Sequence, residues 1–547
     1  MFPLGRHFSI AGSYVVVRLL CVVVYLCGVA SVFAQKKSAE EKIILEHADK
    51  VMLDEKKLPG IQVFVGNVRF YHDGVTLLCD SAHFLQQSNS FNAFGNVRMT
   101  EGDTLSLVSK RLFYDGNTQT AEAREEVVLT HRTSTLYTDS LNYDRLYSVG
   151  YFFEGGRLVD DATTLTSDWG QYDAATREAL FNYHVTMTGE DYVLWSDTLY
   201  YDTVIKRAHV RGPSNVNTTE AKIYTEDAFY YTESGDMTLL DRSVVVNAGT
   251  QMTGDSVSYN RGGGVAEAFG NVIINDKKNK SIMTGNYCFY DERIGYSITY
   301  DSALVKNYQE ADTLYLHADT FKVFTFNMNT DSVYRKMLGY RHARSYRVDV
   351  QGISDSLVFD SKLSRLEMYG NPILWSDNRQ ILGEEIYVFL NDSTVDSVRV
   401  ERQCLLAEQV DTVHYNQVAG LIMRFFFEAG ELKMNEVEGN VAVNYYAFDD
   451  DSVMIGLNHT ETSLLRLYMK DKKTDKIWTR ESNGTFYPLS FVTPTEAYLE
   501  NFVWFDYVRP LYPMDVFVWR SKKRGTELKQ STRRNMPFQV LKPKKDG

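Results

Sequence analysis

The sequence predicts an all-β protein built as a solenoid from repeated units of about 29 residues. Six tyrosines stand 29 residues apart, at Tyr114, Tyr143, Tyr172, Tyr201, Tyr230 and Tyr259. Aromatic residues make up 13% of the 547 residues and prolines number only 10, a composition that favours strands. A fixed period of this length is typical of stacked units, so we expect a long surface or groove.

Each unit is predicted to contain a strand, a turn, a second strand and a second turn. In residues 253–260, Asp255, Val257 and Tyr259 alternate with polar residues, which is the period of a strand with one apolar face. Gly-Asn-Val recurs from Gly66, Gly95 and Gly270 and supplies the positive-φ residues that a tight corner needs. The array is expected to begin near residue 43, with its Val, Leu and Tyr face turned inward.

The chain is predicted to divide into five parts. Residues 1–34 are typical of a signal peptide, with Arg6 and Arg18 before or within an apolar stretch and cleavage expected after Ala34. An uncleaved membrane anchor is the alternative. Residues 35–326 form the repeat domain and residues 327–349 a polar junction. Residues 350–519 form a second, less regular β domain, and residues 520–547 form a basic flexible tail.

Charge argues against nucleic acid as a partner. The net charge is −13, although residues 520–547 hold ten Lys and Arg against two acids, so the rest of the chain is strongly acidic and repels phosphates. The basic tail is either a membrane-surface contact or a solvated terminus.

The sequence contains no motif for catalysis, and we expect no enzyme activity, cofactor or metal. Asp139, Asp168, Asp197, Glu226 and Asp255 recur with the repeat. They form either a row of calcium ligands or, as we expect, acids at strand starts that accept backbone N–H bonds and face water. The cysteines that follow the signal, Cys79, Cys288 and Cys404, do not make a disulfide framework.

The alternation of Gly-Asn-Val corners with strands such as Thr253 to Tyr259 resembles the OstA family of organic-solvent-tolerance proteins. This family includes the LptA-like periplasmic β-jellyroll proteins of lipopolysaccharide transport. The resemblance covers residues 40–326 and, more weakly, residues 350–490. It implies a jellyroll, or taco-like, fold whose apolar interior shields acyl chains, with a second OstA-like module behind it. It also implies end-to-end joining with other jellyroll proteins of the transport bridge by edge-strand pairing.

The resemblance implies that lipopolysaccharide, through its lipid A, contacts the inward face. That face comprises Leu112, Tyr114, Leu141, Tyr143, Tyr172, Leu199, Tyr201, Tyr230, Val257 and Tyr259. The expected location is the periplasm, with outer-membrane association as an addition. A structural or adhesive β-solenoid with a filled core is the alternative, in which the tyrosines are core packing. A carbohydrate-active β-helix enzyme is the least favoured function, because the aromatic residues fall on the inward face.

Overall fold

The computed structural model describes residues 42–53, 56, 58–219, 221–247, 249–308, 312–391, 394–470, 473–524 and 526. The predicted signal peptide, with Cys21 and Cys27, and residues 527–547 of the predicted tail lie outside the described residues. The chain forms two compact units: unit 1 comprises Met1–Asp161 and Trp169–Thr176, and unit 2 comprises Ala162–Asp168 and Arg177–Gly547. This division differs from the predicted one, which placed a boundary at residues 327–349.

The described residues are almost entirely β-strand, as predicted. The first strands are β1 (Ile44–His47), β2 (Lys50–Leu53), β3 (Ile61–His72), β4 (Val75–Leu85), β5 (Ser90–Glu101), β6 (Leu105–Asp115), β7 (Thr120–His131), β8 (Ser134–Asp144), β9 (Val149–Phe152), β10 (Gly156–Asp160), β11 (Thr163–Ser167), β12 (Trp169–Asp173), β13 (Glu178–Thr188), β14 (Tyr192–Asp202), β15 (Arg207–Thr218), β16 (Lys222–Tyr231), β17 (Met237–Leu239), β18 (Ser243–Asn247) and β19 (Thr250–Gly254). Unit 1 contains β1–β10 and β12, and unit 2 contains β11 and all strands from β13 onward.

The remaining strands continue the same antiparallel pattern within unit 2. They are β20 (Ser256–Asn260), β21 (Val265–Asp276), β22 (Ser281–Asp291), β23 (Tyr296–Tyr300), β24 (Leu304–Asn307), β25 (Leu314–His317), β26 (Thr320–Phe326), β27 (Tyr334–Tyr346), β28 (Gln351–Asp360), β29 (Arg365–Tyr369), β30 (Ile373–Ser376), β31 (Arg379–Leu382), β32 (Glu385–Asn391), β33 (Thr394–Gln409), β34 (Tyr415–Glu428), β35 (Glu431–Phe448), β36 (Met454–Lys470), β37 (Lys473–Arg480) and β38 (Asn483–Pro488).

Most long strands bend in the middle, and this bend creates two sheets. In β5 the pairing register with β4 shifts between Phe94 and Val97, where Gly95 and Asn96 have φ of +73° and +44°. In β5 the half before the bend belongs to one sheet, which we name sheet I, and the half after the bend belongs to the facing sheet, sheet II. In β4, which is antiparallel to β5, the order of the two halves is reversed. The Gly-Asn corner therefore lies inside a strand, and each unit of the stack is a pair of bent strands.

The acids of the predicted row are exposed, as expected, and they lie at these bends: Asp139, Asp197 and Glu226 lie within strands, and Asp168 and Asp255 each lie directly before a short strand. Asp139 accepts a backbone N–H bond from Glu126 at 3.4 Å. Asp80 lies at the bend of β4, and its carboxylate accepts a hydrogen bond from Asn96 Nδ2 at 2.8 Å. Asp255 accepts from Asn271 Nδ2 in the same way, also at 2.8 Å, and Arg242 pairs with it. These side-chain bonds hold the pKa of Asp255 below its usual range.

The predicted junction at residues 327–349 contains a full strand. Residues 334–346 form β27, which pairs with β26 on one side and β28 on the other. Five of its 13 residues are Arg, Lys or His, so the segment is polar by composition although it is β-structure. The array continues through this region.

The last residues of unit 2 turn away from the antiparallel array. Leu464 to Lys470 of β36 pairs with Arg480 to Lys473 of β37 as a hairpin. One helix of a single turn follows, α1 (Pro494–Ala497), which begins with a capping box between Thr493 and Glu496. Short 3-10 turns at Asp506–Val508 and Pro513–Phe517 follow it.

We expect Gly95→Ala to destabilise unit 1 more than Gly74→Ala does. Both glycines have positive φ, +73° and +82°, so either alanine introduces left-handed strain of roughly 1–2 kcal/mol. At Gly95 the added Cβ would also lie 2.4 Å from Asp80 Oδ2, whereas at Gly74 nothing lies within 4 Å. Thermal unfolding followed by circular dichroism should show the lower midpoint for Gly95→Ala. Equal midpoints would contradict the tight bend.

Candidate functional site

The predicted tyrosine column is a row of cross-strand neighbours on the inner face of sheet I. In unit 1 the order across the sheet is Tyr114, Ala121, Tyr143, Gly150 and Tyr172. In unit 2 it is Ala179, Tyr201, Ala208, Tyr230, Met237, Tyr259, Ala266 and Tyr290. Every second position is small except Met237, so neighbouring tyrosine rings have room between them.

The facing row on sheet II of unit 1 is apolar and fully buried. Its members are Phe70, Leu77, Met99, Leu107, Leu129, Leu136 and Leu158. Phe70 stacks on Phe91 of sheet I at 4.5 Å between ring centroids, so the two sheets touch. A cavity of about 10 Å³ beside these rings has room for about one water. The interior of unit 1 is therefore packed.

The side of unit 1 opposite the bends, which we name the mouth, is closed by polar contacts between the two sheets. His72 Nδ1 lies 2.8 Å from Tyr114 Oη, and His131 Nδ1 lies 2.9 Å from Tyr172 Oη. Arg145 of sheet I pairs with Glu101 and Asp73 of sheet II at 3.2 Å each, and its side chain is only 7% exposed. The hydroxyl ends of the tyrosine column thus join one sheet to the other.

Unit 2 also has a side opposite its bends, which we likewise name the mouth. Near this side, the inner-row residues of both sheets become less buried along unit 2. On sheet II, Leu165, Met187, Leu194, Val216 and Ile223 are buried. The next five members of this row are partly exposed: Val245, Met252, Ile274, Met283 and Val305. The row is buried again at Leu316.

The row on sheet I loses its cover over the same strands. Tyr201 and Tyr230 are buried, Tyr259 is partly exposed and Tyr290 is 41% exposed. Beyond Tyr290 the row continues through Ser297, Val323 and Met337, which are all partly exposed. Met283 and Val305 of sheet II and Met337 of sheet I pack against one core cluster, so the two rows border the same interior.

We name this stretch the open segment. It comprises Val245, Met252, Ile274, Met283 and Val305 on sheet II and Tyr259, Ala266, Tyr290, Ser297, Val323 and Met337 on sheet I. At the mouth of this stretch the hydroxyl of Tyr259 donates to Glu292 of the same sheet at 3.3 Å. Exposed Lys277, Lys278 and Lys280 lie in the turn between β21 and β22, at the rim.

The structure places the predicted inward residues on the inner face, but with unequal surroundings. Leu112, Tyr114, Leu141, Tyr143 and Tyr172 are buried in unit 1. Leu199, Tyr201, Tyr230 and Val257 are buried in unit 2, and Tyr259 is partly exposed. The inner-row residues Met252, Ile274, Met283, Val305 and Met337 were not among the predicted inward residues. Their alternation with polar neighbours was the available signal, but alternation does not show where the inner row of a sheet is left exposed.

The described residues contain no group of three or more His, Cys, Asp and Glu side chains placed to hold a metal ion. In the same part of the chain, no helix has the length and apolar character needed to cross a membrane. Cys79, Cys288 and Cys404 are buried and free, and burial raises the pKa of the Cys79 and Cys404 thiols to about 12.

Comparison with known proteins confirms the resemblance for part of the chain. Residues 40–197 match a family model described as OstA-like protein, and this part of the chain is similar to that family. One solved structure that aligns is LptH of Pseudomonas aeruginosa, titled as the LptA-homologous periplasmic component of a lipopolysaccharide transport device. That alignment has 15% identity and a TM-score of 0.17, and it covers 20% of this chain and 75% of LptH. No curated protein matches.

Replacement of Arg145 by Met should lower the free energy of unfolding of unit 1 by roughly 2 kcal/mol. This is less than for a fully buried ion pair, because Glu101 and Asp73 keep contact with water. Arg111→Met is the control, since Arg111 and Glu125 form an exposed pair whose loss costs about 0–1 kcal/mol. Urea denaturation of both variants makes the comparison. Similar losses would show that the mouth contacts add little.

Cysteine labelling should distinguish the open segment from the packed interior. On a background with Cys21 and Cys27 replaced by serine, we expect Met283→Cys to react with a maleimide at least ten times faster than Met99→Cys. Both methionines lie on an inner row of sheet II, but Met99 is fully buried. The native thiols stay slow because the thiolate is the reactive form. Equal rates at the two sites would indicate that the segment is closed in solution.

Proposed function

We propose that this chain is a periplasmic lipid-binding protein that shields the acyl chains of lipopolysaccharide during transport to the outer membrane. The proposal is supported by the OstA-like region at residues 40–197 and by the partly exposed apolar interior of unit 2. The observation that carries it is the open segment, because it is an accessible apolar surface inside an otherwise packed β structure. No catalytic step is part of the proposal.

The dimensions of the open segment suit an acyl chain. Five steps between paired strands separate Val245 from Leu316, which is ~24 Å at the usual strand spacing. One leaflet of a bilayer core is about 15 Å thick, so an acyl chain of ordinary length fits within this stretch. Methionine side chains adapt to irregular apolar shapes, and the two rows include Met252, Met283 and Met337.

The rim suits an anionic head group. Lys277, Lys278 and Lys280 are exposed in the turn beside Asp276, and they stand next to an apolar surface in a chain whose net charge is −13. An amphipathic ligand with apolar chains and negative phosphates, as in lipid A, meets both parts of this surface. A neutral oil would use only the apolar part.

The other predicted contact residues take a second role in this proposal. Tyr259 belongs to the open segment and would contact the ligand directly. The other predicted residues lie in the packed interior: Leu112, Tyr114, Leu141, Tyr143, Tyr172, Leu199, Tyr201, Tyr230 and Val257. They would contact lipid only if the two sheets of their own unit separated.

The ends of the array are the proposed contacts with other jellyroll proteins. The edge strands β1 and β2 pair with β3 and expose Ile44, Val51, Met52 and Leu53. An apolar edge with unpaired backbone groups favours addition of a partner's strand. This arrangement is consistent with a protein that works in a chain of β modules in the periplasm, with outer-membrane association at one end.

The packed interior of unit 1 favours a second candidate function for the chain, a structural or adhesive β-solenoid. A filled core needs no ligand and gives a rigid spacer. The two functions differ in one respect that is easily measured, since only the transport function requires lipid uptake.

Ile274→Asp should lower lipid A binding at least tenfold, whereas Ile273→Asp should leave it unchanged. The two residues are adjacent, but Ile274 lies on the inner row and Ile273 points outward with partial exposure. A carboxylate on the inner row places a charge against the acyl chain, and burying it is costly. Native mass spectrometry of full-length folded protein, with and without added lipid A, gives the bound fraction.

Two outcomes would contradict the transport proposal. The first is the absence of lipid in protein purified from its own envelope, together with no uptake of added lipid A, which would favour the scaffold. The second is equal binding by wild type and the folded Ile274→Asp variant, which would remove the open segment from the proposal but leave lipid binding itself in place.

A further inference from the structure

The C-terminal residues of unit 2 cross the outer face of sheet II as a strap, which we define as residues 493–524. Four amide side chains from one cross-strand row, in which Trp375 and Ala407 occupy the positions between them, bond to the strap. Asn444 Nδ2 donates to Glu496 O and Gln417 Nε2 to Ala497 O, each at 2.8 Å. Further along, Gln380 Nε2 donates to Val503 O at 2.8 Å, and Gln351 Oε1 accepts from Arg509 Nε at 2.7 Å.

Apolar packing fixes the strap in place beneath this amide row. Leu499, Phe505 and Val508 of the strap form one buried cluster with Trp375 and other outer residues of sheet II. Further along, fully buried Asp515 pairs with Arg520 at 2.5 Å, and this bond holds the pKa of the Asp515 carboxyl below its usual range. The side of the strap that faces sheet II is thus fully engaged.

The other side of the strap exposes an apolar patch around its last 3-10 turn. Leu511 is 65% exposed, Tyr512 54% and Met514 53%, and Val518 and Trp519 are also exposed. Directly after Trp519 the strap becomes basic, with Arg520, Lys522, Lys523 and Arg524. The sequence beyond it adds six more Lys and Arg. Apolar and positive side chains therefore lie together in an acidic protein.

We propose that the patch formed by Leu511, Tyr512, Met514, Val518 and Trp519, with the basic residues 520–524, docks on the surface of an anionic lipid bilayer. Tyr and Trp are enriched where one side of a ring is apolar and the other is wet, as at the bilayer interface. Each Lys or Arg near an anionic surface contributes about 1 kcal/mol of attraction. An anionic bilayer meets both the apolar part of the patch and the basic residues beside it.

The position of the patch gives docking a consequence for the open segment. Phe517 contacts His317 of β25, and Trp519 contacts His342 of β27, at ring-centroid distances of 4.6 and 4.4 Å. These two strands also carry Leu316 and Met337, where the open segment ends. A bilayer held by the strap therefore lies beside the strands that border this end. The docking itself does not depend on lipid being bound inside.

Vesicle flotation of the full chain tests the proposal. We expect binding to vesicles of phosphatidylglycerol and phosphatidylcholine, weak binding to pure phosphatidylcholine, and loss of binding at 1 M salt. The double variant Leu511→Asp/Met514→Asp should lower the ratio of vesicle-bound to free protein at least tenfold. The control Leu363→Asp/Val413→Asp changes two apolar residues that are about equally exposed elsewhere in unit 2, and it should float as the wild type does.

Further variants separate the patch from the sequence that follows it. Lys523→Gln/Arg524→Gln should weaken binding to anionic vesicles severalfold, and removal of residues 527–547 should weaken it without abolishing it. The proposal is overturned if the full chain does not float with anionic vesicles, if the aspartate variant floats like the control, or if removal of residues 527–547 alone abolishes binding. Circular dichroism of each variant establishes that it is folded.

Discussion

The bend in the middle of each long strand is the constraint on which the rest of the structure depends. A straight strand of 11 or 12 residues would belong to one sheet, and its inner face would find no facing sheet from the same unit. Because the bend sends each half into a different sheet, every bent strand contributes to both walls of the interior. The β5 bend uses two consecutive residues with positive φ, Gly95 and Asn96, and Asp80 on the neighbouring strand accepts a hydrogen bond from Asn96 there. The repeating acids therefore serve the backbone, and their exposure follows from their position at the outer corner.

The mouth opposite the bends decides whether the interior is closed. In unit 1, side chains at the mouth connect the two sheets: His72 of sheet II contacts Tyr114 of sheet I, and Arg145 of sheet I pairs with Glu101 of sheet II. The inner rows behind these contacts are buried. At the open segment the repeat continues, but Tyr259 bonds along its own sheet and Tyr290 is exposed. The same backbone architecture thus gives a packed core in one stretch and an accessible apolar surface in another, and the two stretches differ in the side chains at the mouth.

Much of the fold was predictable because period and corner chemistry are local properties. The spacing of the tyrosines, the Gly-Asn corners at Gly95 and Gly270 and the array start near residue 43 are all visible in the sequence, and each corresponds to an observed element. Bends made by other residues were not predictable, because Glu125 with Glu126 and Arg341 with His342 also take positive φ but carry no sequence signature of it. The strand β27 was missed for that reason. The open segment was missed because burial depends on the facing sheet, and alternation within one strand contains no information about the distance to that sheet.

Magnitudes indicate why the open segment, and not the packed interior, is the place where a lipid enters. Separating the sheets of unit 1 would expose the seven apolar side chains from Phe70 to Leu158, at about 1.5–3 kcal/mol each. The total, roughly 10–20 kcal/mol, equals or exceeds the net stability of a typical domain, about 5–15 kcal/mol, so this opening would amount to unfolding. At the open segment the corresponding side chains already contact water, and covering them with an acyl chain is favourable by the same apolar term. A ligand therefore gains free energy there without first separating two packed sheets.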